Sequence, residues 1–279
     1  MIKAMTIAVC LVAALPSVAS ATAARRSTAS PDLRSNAFYI LDESGSKVLA
    51  ARNENIAAPI ASITKVMTAL VVLEADQPMD EKVAITHDDV RETAGSASRL
   101  APGASLTRAD LMHLALMSSE NRAAHALCRT YPGGTQACVR AMNLKARSLG
   151  MTTARFVEPT GLSSSNVASP IDLVKLVRAA AANPTIRKFS TDPDHTVYVK
   201  GREIEYRSTN SLVKKPDWQV TVQKTGYNAD AGRCLVMQTV IDGRDVVIVL
   251  LNSWGKLTRI GDANRIRNWL LSSAPTRTG

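Results

Sequence analysis

The chain has 279 residues, with 34 Lys or Arg against 24 Asp or Glu, so the formal net charge is +10. Hydrophobic residues make up 46% and charged residues 21%, a composition that excludes wholesale disorder and collagen-like repetition. Aromatic residues are only 4%, which argues against extensive base-stacking surfaces, and four cysteines are too few for a disulfide scaffold. This length can bury a substantial core in one large domain or two small ones.

The N-terminus has the pattern of a secretory signal peptide. Lys3 supplies a positive charge, residues 7–15 form an apolar run that Pro16 ends, and the small residues 19–23 offer cleavage sites. We therefore expect residues 1–23 to be removed and residues 24–279 to form one domain exported to the periplasm. An uncleaved anchor is the alternative, although the run is short for a membrane span and no later stretch reaches about 20 apolar residues.

Hydrophobic periodicity and turn residues predict the elements in chain order. A first hairpin covers 37–41 and 47–51, and helices follow at 63–75, 107–117, 121–129, 135–149 and 170–182. Then come a hairpin at 196–199 and 203–207, a strand at 220–224, a hairpin at 234–241 and 246–251, and a helix at 263–271. Ser62 is placed to cap or begin the first long helix, and Asn183-Pro184 should stop the fifth. This order predicts one α/β domain whose sheet is assembled from both chain ends.

The cysteines and histidines indicate no metal or cofactor site. Cys128 and Cys138 bracket a turn-rich segment, and they form either a disulfide or two free, half-buried thiols. Cys234 lies in a strand-like run, where we expect it to be a small buried hydrophobic residue. The four histidines form no metal-binding pattern, and no Walker loop, dinucleotide fingerprint or G-x-S-x-G elbow occurs. We therefore expect neither a cofactor nor a metal.

Three short motifs suggest a serine chemistry that uses a lysine base. S-x-x-K begins at Ser44, Ser62 and Ser211, S-x-N begins at Ser119, Ser164 and Ser208, and K-T-G occurs once, at Lys224-Thr225-Gly226. Only Ser62 opens a long apolar helix, where it shares one face with Lys65 and lies beside the backbone N–H groups of the helix N-terminus. A nucleophile that attacks a carbonyl needs such a base and such donors.

The other two motifs fall where a substrate could reach them. Ser119-Glu120-Asn121 lies between two predicted helices, in a loop short enough to enter a cleft, and Glu120 is expected to be a solvated loop charge. K-T-G ends a predicted strand, where a glycine lets a substrate backbone approach closely.

Together these segments resemble the serine D,D-peptidases of the low-molecular-mass penicillin-binding protein class. The similarity extends from about residue 37 to about 270 and includes PIASITKVMTA (59–69), LMHLALMSSEN (111–121), FVEPTGL (156–162), TNSL (209–212), KTGY (224–227) and AGRCL (231–235). Within this family it is greatest to the D-alanyl-D-alanine endopeptidases of the penicillin-binding protein 7 type. The resemblance implies a β-lactamase-like α+β fold, in which an antiparallel sheet built from both chain ends is flanked by helices, with a helical subdomain.

The resemblance also implies a role for each site residue. The catalytic residues would be Ser62 as the acylated nucleophile, Lys65 as its proton acceptor, and Ser119 as a proton shuttle. The substrate-binding residues would be Asn121, Lys224, Thr225, Gly226 and Tyr227, with the backbone N–H groups of Tyr227 and Ser62 as the oxyanion hole. A lysine base must be neutral, so we expect burial and the charge of Lys224 to lower the pKa of Lys65.

Hydrolysis of the D-alanyl–diaminopimelate cross-link of peptidoglycan is the leading functional hypothesis. The alternative is a D,D-carboxypeptidase that removes terminal D-Ala, which we favour less because the chain ends soon after the catalytic domain. A non-catalytic wall-binding protein is disfavoured by the intact motifs, and an exported protein is not expected to bind nucleic acid. The mature chain keeps 33 basic against 24 acidic residues, and this positive charge suits binding to an anionic cell-wall polymer. The resemblance also implies that β-lactams acylate Ser62.

Overall fold

The computed structural model describes residues 30–272, and the predicted signal peptide lies outside this range. Its strands are β1 (Ser35–Asp42), β2 (Lys47–Arg52), β3 (Ala58–Pro59), β4 (Lys82–Ala84), β5 (Ser105–Thr107), β6 (Val167–Ala168), β7 (Asp194–Val199), β8 (Arg202–Arg207), β9 (Gln219–Asn228), β10 (Gly232–Ile241) and β11 (Arg244–Ser253). Its helices are α1 (Thr64–Glu74), α2 (His87–Glu92), α3 (Arg108–Met117), α4 (Asn121–Arg129), α5 (Gly134–Ser148), α6 (Pro170–Ala182), α7 (Pro184–Thr191) and α8 (Thr258–Ser272). Short 3₁₀ turns occupy Ala61–Ile63 and Ser211–Lys214.

The central sheet joins the two ends of the described chain. Five antiparallel strands lie in the order β2-β1-β11-β10-β9, so the N-terminal hairpin pairs directly with the last strand. Side chains of β1 alternate between two cores, with Tyr39 and Leu41 in the larger one and Phe38 and Ile40 in the smaller one. Helix α8 covers the smaller core, whereas α1, α3, α4, α5 and α6 contribute to the larger one. The predicted sheet, built from both chain ends and flanked by helices, is confirmed.

Helix α1 is the centre of the helical part of the fold. Nine of its eleven residues are buried because it packs against α3, α4, α5 and α6. A helix enclosed in this way has an apolar surface on nearly all sides. Lys65, one turn after Ser62, is therefore held in the protein interior rather than at the surface.

The predicted elements are largely confirmed, and the differences arise mainly at their ends. Asn183 ends α6 as expected, but its side chain also caps α7, which follows at once and was not predicted. Helix α2, which a capping box at Thr86 begins, was also missed. Strand β9 runs on to Asn228 because its pairing with β10 continues that far. The K-T-G motif therefore lies inside a strand and not at its end.

The structure decides between the two alternatives for the cysteines. Cys128 at the end of α4 and Cys138 in α5 form a disulfide, with their Cα atoms 5.4 Å apart. Cys234 in β10 is a buried free thiol, as predicted. The disulfide ties together two helices that both pack against α1.

Replacement of Cys128 and Cys138 by alanine should lower the free energy of unfolding by about 3 kcal/mol, because a short closed loop restricts the unfolded chain. Urea denaturation of the C128A/C138A variant and of the wild type measures the loss. A reductant should destabilise the wild type by the same amount and leave the variant unchanged. A wild type that is insensitive to the reductant would contradict the bond.

Candidate active site

Ser62 lies in the 3₁₀ turn that leads into α1. Ile63, rather than Ser62, occupies the cap position of α1, and no side chain caps the helix there. The expectation that Ser62 caps or begins the helix is therefore wrong. Instead, Ser62 Oγ lies 2.8 Å from Lys65 Nζ, which approaches from the same face one turn later.

The amine of Lys65 is the centre of a buried polar cluster. Besides its contact with Ser62, Nζ donates hydrogen bonds of 2.6 Å to Asn121 Oδ1 and of 2.6 Å to the carbonyl oxygen of Thr160. Burial lowers the pKa of Lys65 to about 7, although the negative charges of Glu158 and Glu120 act in the opposite direction. A large fraction of this amine is therefore neutral near pH 7, as a proton acceptor must be.

A second buried lysine approaches from the sheet. Lys224 of β9 is fully enclosed, and its Nζ donates a 2.9 Å hydrogen bond to the carbonyl oxygen of Thr225. Burial holds the pKa of Lys224 well below its usual range, and the positive charges of Lys65 and Arg259 lower it further. The expected repulsion between the two lysines thus acts on the pKa of Lys224, whereas burial is what lowers the pKa of Lys65.

The loop between α3 and α4 forms the facing wall. Ser119 has a φ of +64°, a left-handed conformation that turns the chain sharply between the two helices. The residue lines a cleft of about 790 Å³ whose other side includes Tyr206 and Arg207 of β8. Asn121, the first residue of α4, reaches the amine of Lys65, so the S-x-N and S-x-x-K motifs meet directly.

Glu120, predicted to be a solvated loop charge, is only 6% exposed, and that prediction is wrong. It caps α4, where its carboxylate accepts a 3.1 Å hydrogen bond from the backbone N–H of Arg122. Burial raises the pKa of Glu120 above its usual value, against hydrogen bonds from Ser98 and Arg122 and the charge of Lys65. The carboxylate is thus part of the electrostatic surroundings of Lys65.

The K-T-G strand lies against the turn that carries Ser62. A Cβ atom at Gly226 would come within 2.9 Å of the carbonyl oxygen of Ile60 and 3.2 Å of the Ser62 nitrogen, so only glycine allows this approach. The Thr225 hydroxyl is 2.6 Å from that of Thr209, whose backbone N–H bonds to the last residue of α3. These contacts join the strand to the wall that carries Ser119, while the Tyr227 side chain is exposed.

Two contributors to the site were missed by the sequence analysis. The segment 158–163 supplies the Thr160 carbonyl to Lys65, and a Cβ atom at Gly161, whose φ is +83°, would lie 1.9 Å from the Ala61 carbonyl oxygen. FVEPTGL was noted as a family match, but its spacing does not indicate this contact. Arg259 of α8 is the second contributor, because its positive charge helps to lower the pKa of Lys224. It is largely buried, and its Nε and Nη1 atoms lack hydrogen-bond partners among residues 30–272.

This geometry joins a hydroxyl and a largely neutral amine, with a second buried lysine on the strand that lies against the turn of Ser62, which suits the transfer of an acyl group from a substrate that carries a carboxylate. The protein thus falls in the class of serine acyl-transfer enzymes. Residues 24–255 match the family described as D-alanyl-D-alanine carboxypeptidase, and the chain belongs to this family of serine D,D-peptidases.

Relatives and solved structures agree with this assignment. The D-alanyl-D-alanine endopeptidase of Pseudomonas aeruginosa is 44% identical over 241 residues, which cover 86% of this chain and 78% of the relative. The D-alanyl-D-alanine endopeptidase of Escherichia coli is 42% identical over 257 residues, covering 91% and 83%. The crystal structure of a D-alanyl-D-alanine carboxypeptidase from Mycobacterium tuberculosis superposes with a TM-score of 0.78 at 28% identity, over 88% of this chain and 94% of that one. The predicted family and fold are confirmed.

The rate of acylation by a fluorescent penicillin should rise with pH through about 7 and level off above it, because the neutral form of Lys65 predominates above its pKa. Below pH 7 the rate should fall about tenfold per pH unit. Glu120→Gln removes a negative charge that raises the pKa of Lys65. The acidic limb of the pH–rate profile of this variant should therefore lie at lower pH than that of the wild type. A rate that is independent of pH from 5 to 9 would contradict the role of Lys65.

Gly161→Ala should slow acylation at least tenfold and destabilise the protein, because the added methyl group would displace the turn that holds Ser62. Gly201→Ala is the matched control, since its φ of +75° is similar but a Cβ atom there meets nothing within 4 Å. The control should cost about 1 kcal/mol of stability and leave the acylation rate unchanged. Equal effects of the two substitutions on acylation would show that backbone conformation, not the close contact, is what matters.

Proposed function

We propose that this protein hydrolyses the D-alanyl–diaminopimelate bond that cross-links peptidoglycan stem peptides, through an acyl-enzyme on Ser62. The proposal rests on the 2.8 Å contact between Ser62 Oγ and Lys65 Nζ, in surroundings where burial lowers the pKa of Lys65 to about 7. The names of the two relatives that are more than 40% identical favour the cross-link, rather than a terminal D-Ala, as the bond attacked.

In the acylation step, neutral Lys65 accepts the proton of Ser62 as Oγ forms a bond to the D-alanyl carbonyl carbon. The carbonyl oxygen becomes negative and is stabilised by the backbone N–H groups of Ser62 and Tyr227. Gly226 permits a close approach that brings β9 to the turn of Ser62. The N–H groups of Ser62 and Tyr227 need this proximity to bind the same oxygen. Preorganised donors of this kind are worth several kcal/mol in the transition state.

In the second half of the reaction, the C–N bond breaks and the departing amine takes up a proton relayed from Lys65 through Ser119. Asn121 holds the amine of Lys65 in place during this relay. Water then attacks the ester carbonyl and gives a proton to Lys65. The bond between the carbonyl carbon and Ser62 Oγ breaks, Lys65 returns the proton to Oγ, and the free carboxylic acid leaves. β-Lactams acylate Ser62 by the same route, and their ring-opened product has no small leaving group to vacate the site for water.

The substrate carboxylate is held by the cationic end of the site. Lys224, Arg259 and the hydroxyl of Thr225 lie at this end, and the guanidinium of Arg259 has donor atoms without partners in the described chain. Burying a cation without an anion costs free energy, and the lowered pKa of Lys224 reflects this cost. A bound carboxylate offsets this cost of burial. This arrangement selects substrates with a free carboxylate beside the scissile bond.

We propose further that residues 1–23 are a signal peptide and that residues 24–279 form one catalytic domain in the periplasm, where peptidoglycan is found. The family match begins at residue 24, which is where the proposed mature chain begins. In the part of the chain from 30 to 272, none of the helices is both long and apolar enough to cross a bilayer.

Purified protein should cleave cross-linked muropeptide dimers, and Ser62→Ala should abolish both this cleavage and labelling by a fluorescent penicillin. Ser44→Ala removes the serine of another S-x-x-K sequence, in an exposed turn, and should change neither. Chromatography of the digests measures the products. Release of terminal D-Ala from monomeric pentapeptide with dimers left intact would establish the carboxypeptidase instead. A wild type that does not label with penicillin would favour a non-catalytic wall-binding protein.

A further inference from the structure

Glu158, in the loop between α5 and β6, is surrounded by hydrogen-bond donors. Its Oε2 atom accepts a bond of 2.6 Å from the backbone N–H of Thr160 and another of 2.6 Å from the hydroxyl of the same residue. Its Oε1 atom accepts bonds from the backbone N–H groups of Gly161 and Ser163, at 2.7 and 3.3 Å, and a bond of 2.8 Å from Asn166 Nδ2. Both carboxylate oxygens are thus occupied by donors of their own loop.

This carboxylate fixes the direction of two peptide groups that face α1. In a planar trans peptide group the N–H and the C=O point in opposite directions. The N–H of Gly161 points to Glu158. The carbonyl of the same peptide group, which belongs to Thr160, therefore points away from it and accepts the 2.6 Å hydrogen bond from Lys65 Nζ. In the preceding peptide group the N–H also points to Glu158, and the carbonyl accepts a 2.7 Å hydrogen bond from the Thr68 hydroxyl.

Asn166 extends this network to the turn that carries Ser62. The residue is fully buried, and its Nδ2 atom donates both to Glu158 and, over 3.1 Å, to the hydroxyl of Thr64 at the start of α1. Its backbone carbonyl accepts a 3.1 Å hydrogen bond from the N–H of Ile60, just before the turn. The loop organised by Glu158 is therefore bonded to the segments on both sides of Ser62.

Glu158 is also the stronger of two negative charges that act on Lys65. Three charged side chains influence or are influenced by this amine: Glu158 from the loop, Glu120 from between α3 and α4, and Lys224 from β9. Burial lowers the pKa of Lys65 to about 7, and the charge of Glu158 opposes this lowering more than that of Glu120 does. An amine whose pKa fell much further would be neutral but a weak proton acceptor.

We infer that Glu158 is a positioning residue for the reaction at Ser62, which aims the Thr160 carbonyl at Lys65 and supplies negative charge that balances the amine. This inference rests on the proposed role of Lys65 as the proton acceptor. Glu158 is not itself the base, because donors of its own loop occupy both of its oxygens. Its hydrogen bonds and its charge are two separate contributions, and different substitutions remove them.

Two variants test the inference through the rate of acylation by a fluorescent penicillin from pH 5 to 9. Glu158→Gln keeps the length of the side chain and removes the charge, so its acidic limb should move to lower pH, further than that of Glu120→Gln. Glu158→Asp keeps the charge but is one methylene shorter. Its plateau rate should fall about tenfold because the hydrogen bonds to the loop are lost, while its acidic limb stays near that of the wild type.

Glu74→Gln is the matched control for the loss of a negative charge. Glu74 lies on the same helix, nine residues after Lys65 and about 14 Å from it along the helix axis. At that distance an exposed charge is largely screened, so neither the plateau rate nor the acidic limb should change. Cleavage of muropeptide dimers by Glu158→Gln should show the same shift of the limb as acylation does, because the same amine accepts the proton.

The outcomes separate this inference from the proposed function. If the wild type has an acidic limb near pH 7 and Glu158→Gln leaves it in place or moves it to higher pH, the inference fails and Lys65 stands as the base. If the wild-type rate does not depend on pH, both fail. Urea denaturation shows whether each variant folds. Loss of the fold in both Glu158→Gln and Glu158→Asp would overturn the inference, because Glu158 would then serve stability alone.

Discussion

The burial of one lysine amine beside one serine hydroxyl is the constraint on which the rest of this structure depends. An amine in the interior loses its hydration, and that loss is what lowers the pKa of Lys65 to about 7. Contacts with Ser62, Asn121 and the Thr160 carbonyl hold the Lys65 amine in place. The negative charges of Glu158 and Glu120 raise the pKa of Lys65 and so offset part of the lowering by burial. The site is thus a compromise between a largely neutral amine and a tolerable burial penalty.

Close backbone contacts hold this arrangement together. Gly161 and Gly226 both lie against the turn of Ser62, one from a loop and the other from β9, and neither approach leaves room for a side chain. The hydroxyls of Thr209 and Thr225 join β9 to the end of α3, next to the sharp bend at Ser119. The cleft walls are consequently fixed by glycine and threonine contacts as much as by the hydrophobic cores.

Two depressions on the surface of the described residues, one lined by Ser119 and the other by Tyr227, differ in their charge. The cleft beside Ser119 carries charges of both signs, with Arg207 next to Glu205 and Arg99 over the ring of Tyr206. The depression lined by Tyr227 combines that exposed ring and the exposed ring of Trp254 with two cations, Arg233 and Lys256, against one acid, Asp230.

Local patterns were sufficient to predict α1, the end of α6, the hairpins and the three motifs, because periodicity, helix-stop residues and turns act over a few residues. Local patterns did not predict the conformation or the surroundings of particular side chains. Four features of the structure depend on segments that are distant in sequence. They are the burial of Glu120, the lack of hydrogen-bond partners for Nε and Nη1 of Arg259 in the described residues, the disulfide between Cys128 and Cys138, and the continuation of β9 past K-T-G. Motif spacing by itself singled out Ser62, Lys65 and Asn121 as candidates, but only the packing of helices against a sheet made from both chain ends determined how strongly the Lys65 amine is desolvated, since solvation depends on every neighbour in space.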